Sequence, residues 1–157
     1  MSTKITNGKL VVRVIEEVDL NGRTYGNTNK HEITGINEVS ERILTVPTTS
    51  ITILSASAAV GAGTFVAGNI KYFRITNLDD TNFVRLTFVS GTQSTATGQA
   101  ANTSDLKLEA NRTMTFANPA FSGSATNAAF NAFSNFTNLK GVADSDSVDI
   151  ELFVAST

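Results

Sequence analysis

The stretch YFRITNLDDTNFVRLTF, Tyr72–Phe88, reads as two β-strands around an acidic, polar tip. Apolar and polar residues alternate in both arms, as expected for strands with one buried face. A hairpin whose loop has an even number of residues keeps the apolar residues of both arms on the same side of the sheet. Its expected core is a type I turn supported by the two aspartates, Asp79 and Asp80. In that register Ile75 stands opposite Val84, Phe73 opposite Leu86, and Arg74 opposite Arg85.

The predicted pairing of Arg74 with Arg85 raises an electrostatic question, because like charges directly opposite on a sheet are mildly destabilising. In a lone domain, solvent screens the pair. In a symmetric oligomer, an acidic strand of the next subunit covers it, with Asp105 and Glu109 or Asp149 and Glu151 as candidates. The second alternative is our hypothesis.

Alternation with period two recurs along most of the chain. In KLVVRVIEEVDLNG one face carries the apolar residues, and Asn21-Gly22 predicts a tight turn. Further strands are predicted within 31–46 and at Ser50–Leu54. A pair of strands is predicted at Asp105–Glu109 and Arg112–Ala117, turning near Asn111, and a closing strand at 147–155. The apolar face of the first strand consists of Leu10, Val12, Val14, Val18 and Leu20, and that of the closing strand of Val148, Ile150, Leu152 and Val154.

One segment departs from the strand pattern. ATNAAFNAFSNF, Ala125–Phe136, places Phe130 and Phe133 at helical spacing, which suits either a short helix or a phenylalanine-rich loop over one end of the sheets. About eight strands with at most one short helix predict an all-β fold. We expect a β-sandwich, jelly-roll-like, forming a single domain over 1–157.

The composition excludes several classes of functional site and argues against two classes of partner. The 157 residues include no cysteine, which excludes thiolate metal sites, disulfides and cysteine nucleophiles. A formal net charge of −2 gives no basic footprint, so we expect neither nucleic acid nor a membrane surface as a partner. No signal peptide or long apolar span is visible in the sequence.

Catalytic and metal motifs are weak throughout. His31 is the only histidine, and its place at a strand start indicates a solvated side chain rather than a base or ligand. The oxygen-rich loops NLDDTN and ADSDSVD could bind calcium, but turn chemistry and strand entry explain them better. We therefore expect no cofactor, no resident metal and no enzymatic activity. A contact function is the alternative, and its candidate interface residues are Arg74, Arg85, Phe83, Tyr72, Phe121, Phe130 and Phe133.

Three runs carry a resemblance to a known class of proteins. ITNGKLVVRVIEEVDLNG, INEVSERILTVPTT and KYFRITNLDDTNFVRLTF are similar to stretches of small β-rich virion proteins of tailed bacteriophages. The resemblance extends to about Phe88 and carries over no site residue. It implies a structural subunit of the particle that self-associates into homo-oligomers and binds the major capsid protein or other virion proteins.

Three functions are compatible with these observations. The first is a capsid decoration or cement protein, located in the virion and stabilising the shell through symmetric repetition of modest contacts. The second is a neck, tail or fibre-base component. The third is a carbohydrate-binding module, in which Tyr72 or Phe83 would stack on a sugar ring.

Overall fold

The computed structural model of the protein describes residues 7–57, 64–90, 102–117 and 136–157, and these ranges contain eleven β-strands and one short 3-10 turn at Ala67–Asn69. The chain groups into two compact units, Met1–Asn37 and Glu38–Thr157, and each is described by itself. The all-β class is confirmed, with more strands than the eight expected. The prediction of one domain over 1–157 stays a prediction.

The first unit contains a long antiparallel hairpin, β1 (Gly8–Leu20) and β2 (Arg23–Ile36). Leu20 stands directly opposite Arg23, so the turn has two residues. Both have positive φ angles, 53° at Asn21 and 75° at Gly22. These angles define a type I′ turn, whose twist matches that of the strands and which Asn-Gly adopts readily. The predicted turn is confirmed.

The second unit is a β-sandwich of two sheets. The four-stranded sheet has the order β3-β11-β6-β9, and the five-stranded sheet has the order β5-β4-β10-β7-β8. All neighbours are antiparallel except β4 and β5. The strand bounds are β3 Glu38–Val46, β4 Ile51–Ser57, β5 Thr64–Val66, β6 Ile70–Asn77, β7 Val84–Ser90, β8 Asn102–Leu108, β9 Thr113–Ala117, β10 Phe136–Ala143 and β11 Val148–Ser156.

Strand pairing in the sandwich is nested along the chain. Strand β3 pairs with β11, β4 with β10, β6 with β9 and β7 with β8. The first strand thus meets the last and the pairs close inward to the middle, with β5 as a short addition at one edge. Successive pairs alternate between the two sheets: β3–β11 and β6–β9 lie in the four-stranded sheet, and β4–β10 and β7–β8 lie in the five-stranded sheet.

The core lies between the two sheets and receives the inward face of each strand. In β11 the predicted face is confirmed, because Val148, Ile150, Leu152 and Val154 are all buried. Full burial of each such side chain contributes about 1.5–3 kcal/mol relative to exposure. The largest completely buried side chains are Phe73, Ile53, Leu54, Ile70, Ile75, Leu86, Leu139, Ile150, Leu152, Val46 and Val84.

The predicted hairpin at Tyr72–Phe88 is wrong. Strand β6 belongs to the four-stranded sheet and β7 to the five-stranded sheet, so the loop between them crosses from one sheet to the other. Ile75 is opposite Leu152 and Met114, not Val84. Phe73 is likewise opposite Val154 and Phe116, not Leu86. Alternation identifies the buried face of a strand but not its neighbour, and both arms do bury the predicted faces.

The buried side chain of Asn77 stabilises the loop between β6 and β7 through hydrogen bonds. Its side chain is buried, and its Nδ2 donates hydrogen bonds to the carbonyl oxygens of Asn82 (2.9 Å) and Leu108 (3.3 Å). Its Oδ1 accepts a hydrogen bond from the backbone N–H of Asp79 at 2.9 Å. A buried amide that is satisfied on both sides stabilises one loop conformation.

The second predicted strand pair is also split between the sheets. Strand β8 overlaps the predicted Asp105–Glu109 arm but begins three residues earlier, at Asn102. It joins the five-stranded sheet, and β9 joins the four-stranded sheet. The turn near Asn111 is present, with a positive φ of 56° at that residue. The segment Ala125–Phe136 with its predicted helix lies almost entirely outside the described residues.

Candidate functional site

The two arginines at the centre of the interface hypothesis lie on different sheets. Arg74 is opposite Phe153 of β11 and Thr115 of β9, on the outward face of the four-stranded sheet. Arg85 is opposite Val142 of β10 and Lys107 of β8, on the outward face of the five-stranded sheet. The predicted contact between Arg74 and Arg85 is therefore wrong.

Arg74 has its acidic partners within its own chain. Its Nη2 lies 2.5 Å from Glu151 Oε2 and 3.9 Å from Glu41 Oε1. The guanidinium carbon lies 5.9 Å from the centre of the Phe153 ring, within the range of a cation–π contact. Glu151 belongs to the acidic strand that the sequence hypothesis assigned to a neighbouring subunit, and here it covers Arg74 within one sheet.

Tyr72 is part of the same surface but is not an exposed aromatic residue. Only 6% of it is accessible, and its ring meets Phe153 edge to face with the centroids 5.9 Å apart. Burial raises the pKa of the Tyr72 phenol, and the charge of Arg74 partly offsets that shift. Tyr72 therefore lacks the open ring face that stacking on a sugar would need.

Arg85 lies beside a shallow groove on the outward face of the five-stranded sheet. The groove measures about 510 Å³ and is lined by Phe83, Arg85, Asp105, Leu106 and Lys107. A like-charge pair does exist here, because Arg85 is directly opposite Lys107. Lys107 is held by Glu109, with Nζ 2.8 Å from Oε1, and its ammonium lies 4.2 Å from the centre of the Phe83 ring.

The groove brings together two of the predicted interface residues, Arg85 and Phe83. Two of its charged side chains, Asp105 and Lys107, already contact other residues of the same chain. Asp105 accepts a hydrogen bond from the Thr87 hydroxyl at 2.7 Å, and Lys107 occupies one face of Phe83. Phe121, Phe130 and Phe133 lie outside the described residues, so their predicted role is untested.

The acidic loops use their carboxylates to fix turns. Asp79 Oδ1 accepts the backbone N–H groups of Asn82 (2.6 Å) and Thr81 (2.8 Å), and these hydrogen bonds lower the Asp79 pKa. Asp144 similarly accepts the N–H of Ser145 at 2.7 Å. No group of three or more metal-ligating side chains that could hold an ion is found within the described ranges. Nor does that part of the chain contain a helix long and apolar enough to cross a membrane.

The apolar face predicted for the first strand is exposed over the tip half of the β1–β2 hairpin, and this exposure was not predicted. The register places Tyr25 opposite Val18 and on the same face as Val14 and Leu20. These four side chains are 49–58% exposed, although their alternation resembles that of a core strand. We call this surface the hairpin apolar face. Strand length was the available signal, because 13- and 14-residue strands far exceed the usual five or six.

Comparison of the chain with protein-family models, with curated proteins and with solved structures gives no match.

Proposed function

We propose that the protein is a non-enzymatic structural component of a virion, a capsid decoration or cement protein that binds the outer shell and stabilises it. The nested strand pairing of the sandwich carries this proposal. Without β5, eight strands pair first with last and inward to the middle, in two facing sheets. This order supports assignment of a jelly roll, an architecture that viral capsid domains share with lectins and cupins.

The resemblance of three sequence runs to small phage virion proteins favours the virion role among the functions of such folds. Fold by itself does not determine function, so the fold supports the proposal by analogy. The partners that follow are the major capsid protein or other virion proteins, together with further copies of the chain.

Exposed apolar side chains on both units supply contact surfaces that suit such a role. Besides the hairpin apolar face, Val39 and Ile43 are exposed on β3, an edge strand of the four-stranded sheet. A decoration protein gains strength from many symmetric copies of modest contacts, so it needs no single large interface.

The test is the copy number and position of the protein in purified particles, by quantitative mass spectrometry and cryo-electron microscopy. Hundreds of copies spread over the shell are expected. About a dozen copies at one vertex would replace the decoration proposal with a neck or tail component. Absence from the particle would refute a virion role altogether.

A further inference from the structure

The first half of strand β3 has its polar and apolar residues on the reverse of the usual sides. The register places Arg42 directly opposite Leu152, which is only 1% exposed and belongs to the core. Directly opposite residues of an antiparallel pair share a face, so Arg42 points inward, and so does Ser40 two positions earlier. Val39 and Ile43 point outward instead, and they are 56% and 65% exposed.

The Arg42 side chain reaches across the space between the two sheets. Its Nη2 donates a hydrogen bond of 2.7 Å to the carbonyl oxygen of Ile53 in β4. The β4–β10 register passes from Thr52 to Leu54, so Ile53 is a bulged residue outside that ladder. Arg42 is half-buried, its Nε is buried without a hydrogen-bond partner, and it has no ion pair in the described part of the chain. Its positive charge therefore depends on the water that reaches the guanidinium.

Strand β3 is also an edge of the four-stranded sheet. Within the described ranges it forms a ladder only with β11, so its other side carries unpaired backbone N–H and C=O groups. The strand is nine residues long, and its exposed Val39 and Ile43 make it apolar on the outside. A long, apolar edge strand is a template for pairing with a strand of another chain unless something prevents it.

We propose that Arg42 prevents the free edge of β3 from pairing with a strand of another chain. A strand added beside β3 would continue the sheet, and its inward side chains would close the route by which water reaches the guanidinium. Burial of a charge without an ionic partner is costly, whereas in the separate chain the side chain stays in contact with water. Inward-pointing charges protect the edges of other β-proteins in this way.

This role of Arg42 specifies how a partner can contact the four-stranded sheet. Val39 and Ile43 stay accessible on its outward face, so a partner packs against side chains there and does not add a strand at the β3 edge. The inference goes beyond the proposed function and does not depend on a virion role.

Three substitutions of Arg42 separate its charge from its hydrogen bond. Arg42→Lys keeps the charge, Arg42→Gln keeps a donor without the charge, and Arg42→Met keeps neither. In sedimentation velocity of the full chain, up to about 500 μM, wild type and Arg42→Lys should behave alike. Both neutral variants should begin to associate at a concentration at least about tenfold lower. Arg85→Met is the matched control, because it removes a positive charge from the outward face of an inner strand and should behave as wild type.

Amide hydrogen exchange tests the edge itself, and on the wild type it needs no variant. Amides of β3 that face β11 should exchange slowly, and the alternate amides that face the free edge should exchange rapidly. In associated Arg42→Gln the second set should become slow as well, since strand addition bonds those groups. If both sets are already slow in the separate wild-type chain, the edge is covered and the proposal is overturned.

The remaining outcomes also decide the question. Neutral variants that associate no more than wild type, or Arg42→Lys that associates as readily as Arg42→Gln, would overturn the proposal. So would association that follows the loss of stability in urea unfolding rather than the loss of charge, or association in which the edge amides still exchange rapidly. Absence of the protein from particles would refute the proposed function and leave the role of Arg42 unaffected.

Discussion

Replacing Arg74 with Gln is expected to destabilise the sandwich, whereas replacing Arg85 with Gln should leave its stability nearly unchanged. The Arg74 guanidinium lies between Glu151 and Glu41, so the substitution leaves two carboxylates without their cation. Arg85 instead stands opposite Lys107, and its substitution relieves a weak repulsion. The two substitutions make the same chemical change in opposite electrostatic surroundings.

The magnitude follows from the burial of the ion pair. The Arg74 and Glu151 side chains are 33% and 27% exposed, between the solvated and the buried extremes. Exposed pairs contribute about 0.2–1 kcal/mol, and hydrogen bonds to charged groups about 1.5–3 kcal/mol. Arg74→Gln should therefore cost about 1–2 kcal/mol. In a domain of this size each kcal/mol lowers the Tm by about 3–5 °C.

Urea unfolding of the wild type, Arg74→Gln, Glu151→Gln and the double variant measures this directly. The double-mutant cycle should give a coupling of at least about 0.5 kcal/mol between the two residues. If Arg74→Gln unfolds at the same urea concentration as Arg85→Gln, or if the cycle shows no coupling, the pair does not stabilise the fold. If a neighbouring subunit covered both arginines instead, their replacement would weaken assembly and leave the Tm nearly unchanged.

Three further predictions test packing, topology and pH dependence. Gly141→Ala should lower the free energy of unfolding by about 1–3 kcal/mol in thermal or urea unfolding, because the added Cβ would lie 2.5 Å from Ile53 Cδ1. Gly68→Ala is the control, since a Cβ there meets open space. Equal effects of the two substitutions would contradict the packing around Gly141. Thr76→Cys combined with Thr113→Cys should form a disulfide visible in non-reducing electrophoresis, since the two hydroxyls are 3.0 Å apart. Cysteines at positions 74 and 85 should not form one. The reverse result would support the hairpin predicted at Tyr72–Phe88. Asp79 has a lowered pKa, so its contribution to stability is complete above the unfolded value near 3.8 and is lost as pH falls through the folded value. The loss of unfolding free energy in Asp79→Asn should therefore be larger at pH 6 than at pH 2.5, and a loss that is independent of pH would disprove this account.

Much of the fold could be predicted from the sequence because alternation is a local signal. It identified the all-β class, the Asn-Gly turn and the buried face of β11. It could not identify strand neighbours, since the arms of Tyr72–Phe88 bury the same residues in a hairpin and in a crossing between sheets. Asn77 favours the crossing through hydrogen bonds to carbonyl oxygens that include that of Leu108, 31 residues away.

The partners of the candidate site residues were unpredictable for the same reason. Arg74 and Glu151 are 77 residues apart in the chain and meet only because β11 lies beside β6. Which acidic strand reaches an arginine is decided by sheet order, and sheet order is a property of the whole nested arrangement rather than of any segment.

Burial of a strand likewise depends on its neighbours more than on its own pattern. Strands β1 and β11 both alternate apolar and polar residues, yet β11 lies between two strands in one of two facing sheets, whereas β1 pairs with a single strand. Exposed Val14, Val18, Leu20 and Tyr25 leave apolar surface in water, at a cost of about 25 cal/mol for each Å². The same alternation therefore gives a buried face in β11, which belongs to a sheet that packs against a second sheet, and an exposed face in β1.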